Sequence, residues 1–330
     1  MKDNKKARIK ILILLAGAGL ILLIGTEFTR YRKNMERKNY SVILYQNTEN
    51  DWRSLLEGIK QAAYDAQVDV NYVTLPQNGT AEDAISLLKR EEENGAEGIL
   101  LAAVDSAALE ETVEDMKTRI PIVTVETGIG TEDADITADN YAMGRELGKK
   151  IVEDLKNQQK PGEESQEYSV AIICEFMKRS SVVLRYQGLK DYLEAQENIQ
   201  IMEWSRSAGD YNLTLLIEKM INQKGDGVAV VALDKYATEA LIDASVRRGQ
   251  GTNLKYGFGS TEKIVSGLDK GNLTALMYQN EFNMGYLGLN RLMNKKTREK
   301  EYMTETIMYK IVTRDTLYEE ENQRLLFPIN

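Results

Sequence analysis

The chain has 330 residues but no histidine, one cysteine and four prolines. Without histidine it cannot build a Ser-His-Asp or Cys-His relay or a histidine-ligated zinc site, and a single cysteine allows neither an intrachain disulfide nor a cysteine metal cluster. Lysine and arginine number 42 against 51 aspartates and glutamates, a net charge of −9. An acidic chain without a basic domain argues against nucleic-acid binding.

The charge is divided unevenly along the chain. Residues 1–40 hold ten basic and three acidic side chains, a local charge of +7, whereas residues 41–330 hold 32 basic and 48 acidic ones, a charge of −16. This division indicates a membrane-contacting arm followed by an acidic soluble body.

Within the arm, residues 11–24 (ILILLAGAGLILLI) are apolar without interruption, and lysine and arginine flank them on both sides. With its neighbours the segment reaches about 18–20 residues, enough to span a bilayer. An uncleaved signal anchor is favoured because no Ala-x-Ala site follows and no cysteine for lipid attachment is near. A cleaved signal peptide is the alternative. Five basic residues on each side leave the orientation undecided, and residues 29–40 are read as a charged stalk.

From residue 41 onward, short apolar runs alternate with segments of helical spacing. Continuous apolar strands separated by helices are typical of parallel sheets covered on both faces, so the pattern predicts an α/β fold. The predicted strands are 41–45, 68–74, 98–104, 121–125, 135–137, 169–174, 199–204, 227–233, 254–258, 273–279 and 305–313. The predicted helices are 52–66, 81–88, 106–116, 141–155, 182–195, 211–222, 238–248, 262–268 and 282–293.

Polar side chains follow the predicted strands, where ligands bind in open α/β sheets. They are carboxylates and amides with one indole, and they include no nucleophile–base pair. Carboxylates and amides form hydrogen bonds with hydroxyls and an aromatic face packs on C–H surfaces, so the set favours a small carbohydrate ligand. The alternative is that the aspartates and asparagines only cap helices. The candidate ligand-binding residues are Asp51, Trp52, Asp105, Glu126, Thr127, Asn140, Asp234 and Gln279.

Seven segments together resemble the type I periplasmic sugar-binding proteins, in particular the ribose-binding branch, and also the effector domains of LacI-type regulators. The resemblance covers roughly residues 41–313, and a regulator's DNA-binding domain is not expected because the hydrophobic segment stands in its place. The segments are VILYQNTENDWRSLLEGIKQAA, GILLAAVDSAAL, IPIVTVETG, ITADNYAMGRELG, LRYQGLKDYL, VAVVALDKYATEAL and YGFGSTEKIVSGLDKGNLTALMYQNEFNMGYLGL.

The resemblance implies two Rossmann-like lobes with parallel sheets, joined by a three-strand hinge and closing on a ligand between them. The implied crossings fall near 138–140, 279–280 and 305–307. They define an arm at 1–40, a first lobe at 41–138 plus 280–306, and a second lobe at 139–279 plus 307–330.

Carried over residue by residue, the resemblance keeps several ligand positions and loses others. The family's cleft carboxylate corresponds to Glu126 here, a family asparagine corresponds to Asp234, and the family's last cleft glutamine corresponds to Gln279. Asn140 matches the Asp-Asn pair, and one aromatic of the first-strand pair is kept at Trp52, beside Asp51. Polar contacts expected for ribose are missing at Val183 and Gly259 and, in part, at Thr127, whereas Arg185 matches a mainly structural arginine. These losses argue against ribose but not against sugar binding, and a larger or less hydroxylated ligand would need room where the arginine and the aspartate are missing.

The leading hypothesis is an extracytoplasmic, membrane-anchored receptor for a small uncharged carbohydrate, with no metal or cofactor. Its partner would be an ABC permease or, alternatively, a membrane sensor histidine kinase. Two other classes stay open at this point. A glycoside-processing enzyme would need the carboxylate pair Glu126 and Asp234, and a structural membrane protein would have a degenerate cleft.

Overall fold

A computed structural model describes residues 37–45, 49–76, 78–130, 135–158, 167–204, 212–224, 228–249, 251, 253–294 and 306–326. The predicted anchor lies almost wholly outside these ranges. Within them, no helix combines the length and the apolar character that a membrane crossing requires.

The described residues form an α/β fold with eleven strands and ten helices, and every predicted strand and helix overlaps an observed one. The strands are β1 (Asn39–Leu44), β2 (Asp69–Thr74), β3 (Ile99–Leu101), β4 (Ile122–Val125), β5 (Asp135–Ile136), β6 (Tyr168–Ile173), β7 (Ile199–Trp204), β8 (Val228–Ala232), β9 (Lys255–Phe258), β10 (Ala275–Gln279) and β11 (Tyr309–Thr313). The helices are α1 (Glu49–Ala66), α2 (Ala81–Glu93), α3 (Ser106–Lys117), α4 (Asn140–Gln158), α5 (Ser180–Glu194), α6 (Leu213–Lys224), α7 (Lys235–Arg248), α8 (Glu262–Asp269), α9 (Glu281–Asn294) and α10 (Glu320–Leu326).

Helix α10 was not predicted, because its sequence EENQRLL is mostly polar. Tertiary contacts stabilise it: the side chain of Leu326 is buried in the core, and the Asn322 amide donates to the carbonyl of Thr316 at 2.7 Å. A short polar segment carries no period that reveals such contacts.

The strands form two sheets. The first has the order β2-β1-β3-β4-β5 and is wholly parallel, and the second has the order β11-β10-β9-β8-β6-β7 with only β11 antiparallel to its neighbour. Every residue of β3, β4 and β8 is buried, as expected for strands covered by helices on both faces. We call the first sheet with α1, α2, α3 and α9 the first lobe, and the second sheet with the remaining helices the second lobe.

Three segments cross between the lobes side by side. Ala138 forms a parallel bridge with Ile307, and the backbone N–H of Asn280 donates to the carbonyl of Met308 at 2.8 Å. The two-lobe, parallel-sheet architecture expected from the resemblance is therefore confirmed. The residue limits assigned to each lobe from the sequence stay predictions.

In each lobe, glycines allow the backbones of one pair of helices to come into direct contact. In the first lobe, a Cβ built on Gly285 of α9 would lie 2.1 Å from the carbonyl oxygen of Leu55 in α1. In the second lobe, a Cβ on Gly144 of α4 would lie 2.1 Å from the carbonyl oxygen of Arg185 in α5. Because α5 carries cleft residues, the second glycine contact helps to set the position of the Arg185 side chain.

Candidate functional site

The carboxyl ends of the two sheets face each other, and the lobes are in direct contact there. The backbone N–H of Ser106 in the first lobe donates to the carbonyl of Lys178 in the second at 2.9 Å. The Ser180 hydroxyl donates to the carbonyl of Gly128 at 2.8 Å and lies 3.2 Å from the hydroxyl of Thr127. These bonds join the lobes, so the structure represents a closed form.

A buried ion pair lies between the lobes. Glu126, directly after β4, accepts from Arg185 Nη2 at 3.1 Å, from the Ser181 hydroxyl at 3.2 Å and from the Tyr45 hydroxyl. Arg185 also donates to Asn140 Oδ1 at 2.8 Å and to the carbonyl of Leu233 at 3.2 Å. The Glu126–Arg185 pair is buried and well hydrogen-bonded. Removing one partner of such a pair leaves the other as a buried, unpaired charge, which destabilises the protein.

The pKa values follow from this arrangement. Burial by itself raises the pKa of Glu126, but the positive charge of Arg185, the Tyr45 hydroxyl and Arg179 outweigh it and hold the pKa below its usual value. Burial, and then the negative charge of Glu126, raise the pKa of the Tyr45 phenol well above its usual range. At neutral pH, Glu126 is therefore an ionised acceptor and Tyr45 a neutral donor.

The backbone at Glu126 is strained. Its φ is 63°, and the N–H of Thr127 donates to the carbonyl of Val125 at 2.7 Å, a three-residue turn of the rare positive-φ kind. Phe176, in the loop after β6 of the second lobe, also has a positive φ of 52°. Of the three non-glycine residues with positive φ in the described ranges, these two follow strands at the edge where the lobes meet, and the third, Gln67, precedes β2.

Two buried acceptor oxygens at the sheet edge have no hydrogen-bond partner in the described part of the chain. They are Oδ2 of Asp234, after β8, and Oε1 of Gln279, at the end of β10. The other oxygen of Asp234 caps α7 by accepting from the N–H of Ala237 at 2.9 Å. Burial raises the pKa of Asp234, against the opposing effects of the Ala237 N–H and Arg179. Unsatisfied buried acceptors cost free energy, and a ligand that donates to them would recover it.

Trp52 is buried, and its surroundings are already filled. Its indole N–H donates to the carbonyl of Tyr45 at 2.9 Å, and its ring packs edge-to-face on the Tyr45 ring with 4.9 Å between centroids. The ammonium of Lys235 lies 5.2 Å from the indole centroid and donates at 2.6 Å to the backbone carbonyl of Asp51. Trp52 and Asp51 thus lie at the lobe interface, in contact with a lysine that the sequence had not singled out.

Asp105 and Asn140 also take part in protein contacts. Asp105 caps α3 through the N–H of Ala108 at 3.1 Å, and its second oxygen lies 3.1 Å from Lys178 Nζ in the other lobe. Asn140 donates to the carbonyl of Ala138 at 3.0 Å while it accepts from Arg185. Among the eight candidates, only Asp234 and Gln279 are left with a buried oxygen free of a partner in the described residues.

Arg179 is the main cleft residue that the sequence reasoning missed. Its guanidinium is buried between two rings, 3.6 Å from the centroid of Tyr45 in the first lobe and 3.9 Å from that of Phe176 in the second. It precedes Val183, the position where the resemblance placed a cleft arginine, by four residues, or about one helical turn. This spacing was the available signal, because residues four apart lie on the same side of a helix.

Within the described ranges, no group of three or more acidic or cysteine side chains could hold a metal ion. Cys174, the free thiol, is half-buried next to β6, and burial raises its pKa to about 11. Its thiol is therefore protonated at neutral pH.

Comparison with known proteins identifies the family. Residues 41–300 match the periplasmic binding protein domain, and the chain belongs to this family. The resemblance noted in the sequence is thereby confirmed at the level of family and fold. Proteins of this family are solute-binding proteins and not enzymes. A search of curated protein sequences found no match to the chain.

Several solved structures share the fold. A carbohydrate transporter solute-binding protein from Agrobacterium radiobacter, solved with D-arabinose, has a TM-score of 0.78 at 19% identity, covering 88% of this chain and 99% of that one. GanP, a glucose-galactose binding protein from Geobacillus stearothermophilus, has a TM-score of 0.70 at 20% identity, covering 86% and 100%. A XylFII–LytSN complex has a TM-score of 0.70 at 17% identity, covering 84% and 98%.

Proposed function

We propose that this protein is a membrane-tethered, extracytoplasmic receptor that captures a small carbohydrate between its lobes and delivers it to an ABC importer. The basic, apolar arm at residues 1–40 supports the tether, and the family supports the solute-binding role. Sugars bound in structures of the same fold, together with a glucose-galactose binding protein that shares it, support the ligand class.

The observation that carries the proposal is the pair of buried, unpartnered acceptor oxygens on Asp234 and Gln279. An acceptor of this kind is satisfied by a hydroxyl donor, and a polyhydroxylated ring offers several donors at once. The buried Arg179 guanidinium brings donors to the same cleft, and hydroxyl oxygens can accept from it. A sugar therefore matches both sets of groups, because each hydroxyl donates and accepts.

The closed structure also supports the mechanism. A ligand that contacts both lobes binds the closed state more tightly than the open one and shifts the population toward closure. Asp234 would hold the ligand from the second lobe, and Glu126 of the first lobe, which accepts from Ser181 and Arg185, helps to hold the lobes together in this closed state.

The test is isothermal titration calorimetry on the full-length chain, purified in mild detergent and freed of bound solute. The panel contains D-arabinose, D-tagatose, D-glucose, D-galactose, D-ribose and a polyol. We expect saturable one-to-one binding of at least one monosaccharide, with a negative heat-capacity change from apolar burial. No saturable binding by any member would contradict the proposal.

A second function is favoured by one finding, the fold shared with the XylFII–LytSN complex, in which a protein of this architecture is assembled with another protein. By analogy, the closed form could be presented to a membrane sensor histidine kinase instead of a permease. Crosslinking in membranes with and without the bound sugar, followed by identification of the captured membrane protein, distinguishes a permease from a kinase.

A carboxylate-based glycosidase is disfavoured by the state of Glu126. Arg185 and Ser181 donate to one of its oxygens and Tyr45 donates to the other, so neither oxygen is free to act on a substrate as the second carboxylate of the pair must.

A further inference from the structure

Lys235, the first residue of α7, reaches from the second lobe into the first. Its Nζ lies 2.7 Å from Oε1 of Glu281, at the start of α9, and donates to the backbone carbonyl of Asp51 at 2.6 Å. The same ammonium lies 5.2 Å from the centroid of the Trp52 ring, within the range of a cation–π contact. Helix α9 packs on α1, so all three partners belong to the first lobe.

The Lys235–Glu281 ion pair is better shielded from water than two other ion pairs that join the lobes, Lys178–Asp105 and Arg53–Glu262. The Lys235 side chain is 22% exposed and that of Glu281 only 6%, whereas the exposed fractions are 56% and 68% for the Arg53–Glu262 pair at the rim. The second oxygen of Glu281 accepts from the Ser260 hydroxyl at 3.3 Å, which keeps the carboxylate oriented toward the cleft. A shielded, oriented pair of this kind holds its geometry much better than a rim pair.

The path of the Lys235 side chain explains one departure of the sequence from the family pattern. Gly259, after β9, stands where the resemblance implied an aspartate. A Cβ on Gly259 would lie 2.7 Å from Cγ of Lys235 and 3.0 Å from Cδ1 of Ile264, and the φ of Gly259 is +119°. The lysine stem therefore occupies the space beside Gly259.

We propose that Lys235 is an internal bridge that takes a ligand's place at Trp52 and Gly259: it ties the two lobes together before ligand binds and denies the indole face to a sugar ring. The proposal concerns the free protein, so it does not depend on which solute is bound. It predicts that the ligand-free receptor already populates the closed form and that the bound ring does not stack on Trp52.

The experiment measures the distance between the lobes by double electron–electron resonance on the full-length chain, freed of bound solute. Spin labels are placed at Lys60→Cys on α1 and Lys263→Cys on α8 in a Cys174→Ala background, because the Arg53–Glu262 pair shows that these helices lie on opposite sides of the cleft. Lys235→Met keeps most of the stem and removes the charge. Glu281→Gln removes the partner charge and keeps the side-chain volume.

The matched control is Lys150→Met. Lys150 is similarly shielded, at 25% exposure, and pairs at 2.7 Å with Asp154, but both residues lie on α4 within one lobe. We expect a dominant short distance in the parent protein and in Lys150→Met, and a clear shift of the population to longer distances in Lys235→Met and Glu281→Gln.

Two results would overturn the proposal: an unchanged distance distribution in both bridge variants, or a parent protein that is already as open as they are. Circular dichroism of each variant verifies that it is folded. Because no sugar is added, failure of the carbohydrate hypothesis shows only in the calorimetry, and failure of the bridge shows only in the distances.

Discussion

Arg185 of the second lobe donates from Nη2 to Oε1 of Glu126 in the first lobe at 3.1 Å, and both side chains are buried. The same guanidinium contacts Asn140, the carbonyl of Leu233 and the face of Phe258, with 4.9 Å from Cζ to the ring centroid. An arginine that the resemblance marks as mainly structural thus supports the cleft carboxylate directly.

Arg185→Met should destabilise the protein strongly. It leaves Glu126 as a buried charge without its main partner, so we expect the free energy of unfolding to fall by roughly 3–5 kcal/mol in urea titrations. The control is Arg53→Met, which removes an arginine from an exposed interlobe pair and should cost less than about 1 kcal/mol. Equal losses in the two variants would contradict the assigned role of Arg185.

Asp234→Asn should stabilise the ligand-free protein at neutral pH. Burial raises the pKa of Asp234 in the folded state, so its favourable contribution is complete below the unfolded value of about 3.9 and is lost as pH rises through the folded pKa. Asparagine does not ionise, so the variant avoids the free-energy cost of a buried charge at neutral pH, and its side chain can still cap α7. Calorimetric melting temperatures should therefore be higher for the variant at pH 7.5, with the difference vanishing near pH 4.

Asp105→Asn is the control for that experiment. Asp105 is also a helix N-cap, but its second oxygen is paired with Lys178, so its neutral replacement loses an ion pair and should bring no gain at pH 7.5. If Asp234→Asn also shows no gain, its unpartnered oxygen does not destabilise the free protein.

Gln279→Leu should weaken sugar binding and leave the fold intact. It removes a buried acceptor that has no partner in the described chain, at little change in volume. A bound hydroxyl that loses its acceptor costs about 1–3 kcal/mol, so calorimetry should show affinity reduced about tenfold to a hundredfold. Gln61→Leu, on the exposed face of α1, should bind as the parent does. Unaltered affinity in Gln279→Leu would place the ligand elsewhere.

Arg179→Met should lower sugar affinity by at least about tenfold, because it removes the donors between Tyr45 and Phe176 while its apolar stem still packs there. The control is Arg145→Met, whose guanidinium lies 5.8 Å from the Tyr192 ring centroid on the second lobe. The affinity of each variant is measured by calorimetry with the sugar that binds the parent protein. Equal affinity in the two variants would show that Arg179 does not contact the ligand.

Gly144→Ala should destabilise the α4–α5 contact, because the added methyl would lie 2.1 Å from a backbone oxygen that cannot move alone. Overpacking of this kind costs about 1–3 kcal/mol in unfolding free energy. Gly148→Ala, on the same helix, meets the Tyr192 ring at 3.1 Å, and the helix propensity of alanine offsets the crowding. It should change stability by less than about 1 kcal/mol, and similar losses in both variants would contradict the close approach.

The sequence by itself determined the fold class and the order of its elements. Runs such as 227–233 are apolar without a break, are as short as strands and alternate with helical segments, so the parallel α/β architecture follows from local pattern. The same logic placed Glu126, Asp234 and Gln279 at the carboxyl edges of the sheets, because carboxyl ends of parallel strands share one edge, and their binding role stays a prediction. The arm at 1–40 is likewise a feature of composition, and its role stays a prediction.

Only the tertiary structure decided which polar groups are free. Asp105 and Asp234 look alike in sequence, each an aspartate after a strand and before a helix, yet Asp105 pairs with Lys178 and Asp234 keeps one oxygen unpartnered. Lys235 shows the same limit, since its partners Glu281, Asp51 and Trp52 lie in the other lobe and far away along the chain. Contacts across a cleft depend on how two lobes meet, and no local period or spacing encodes that relationship.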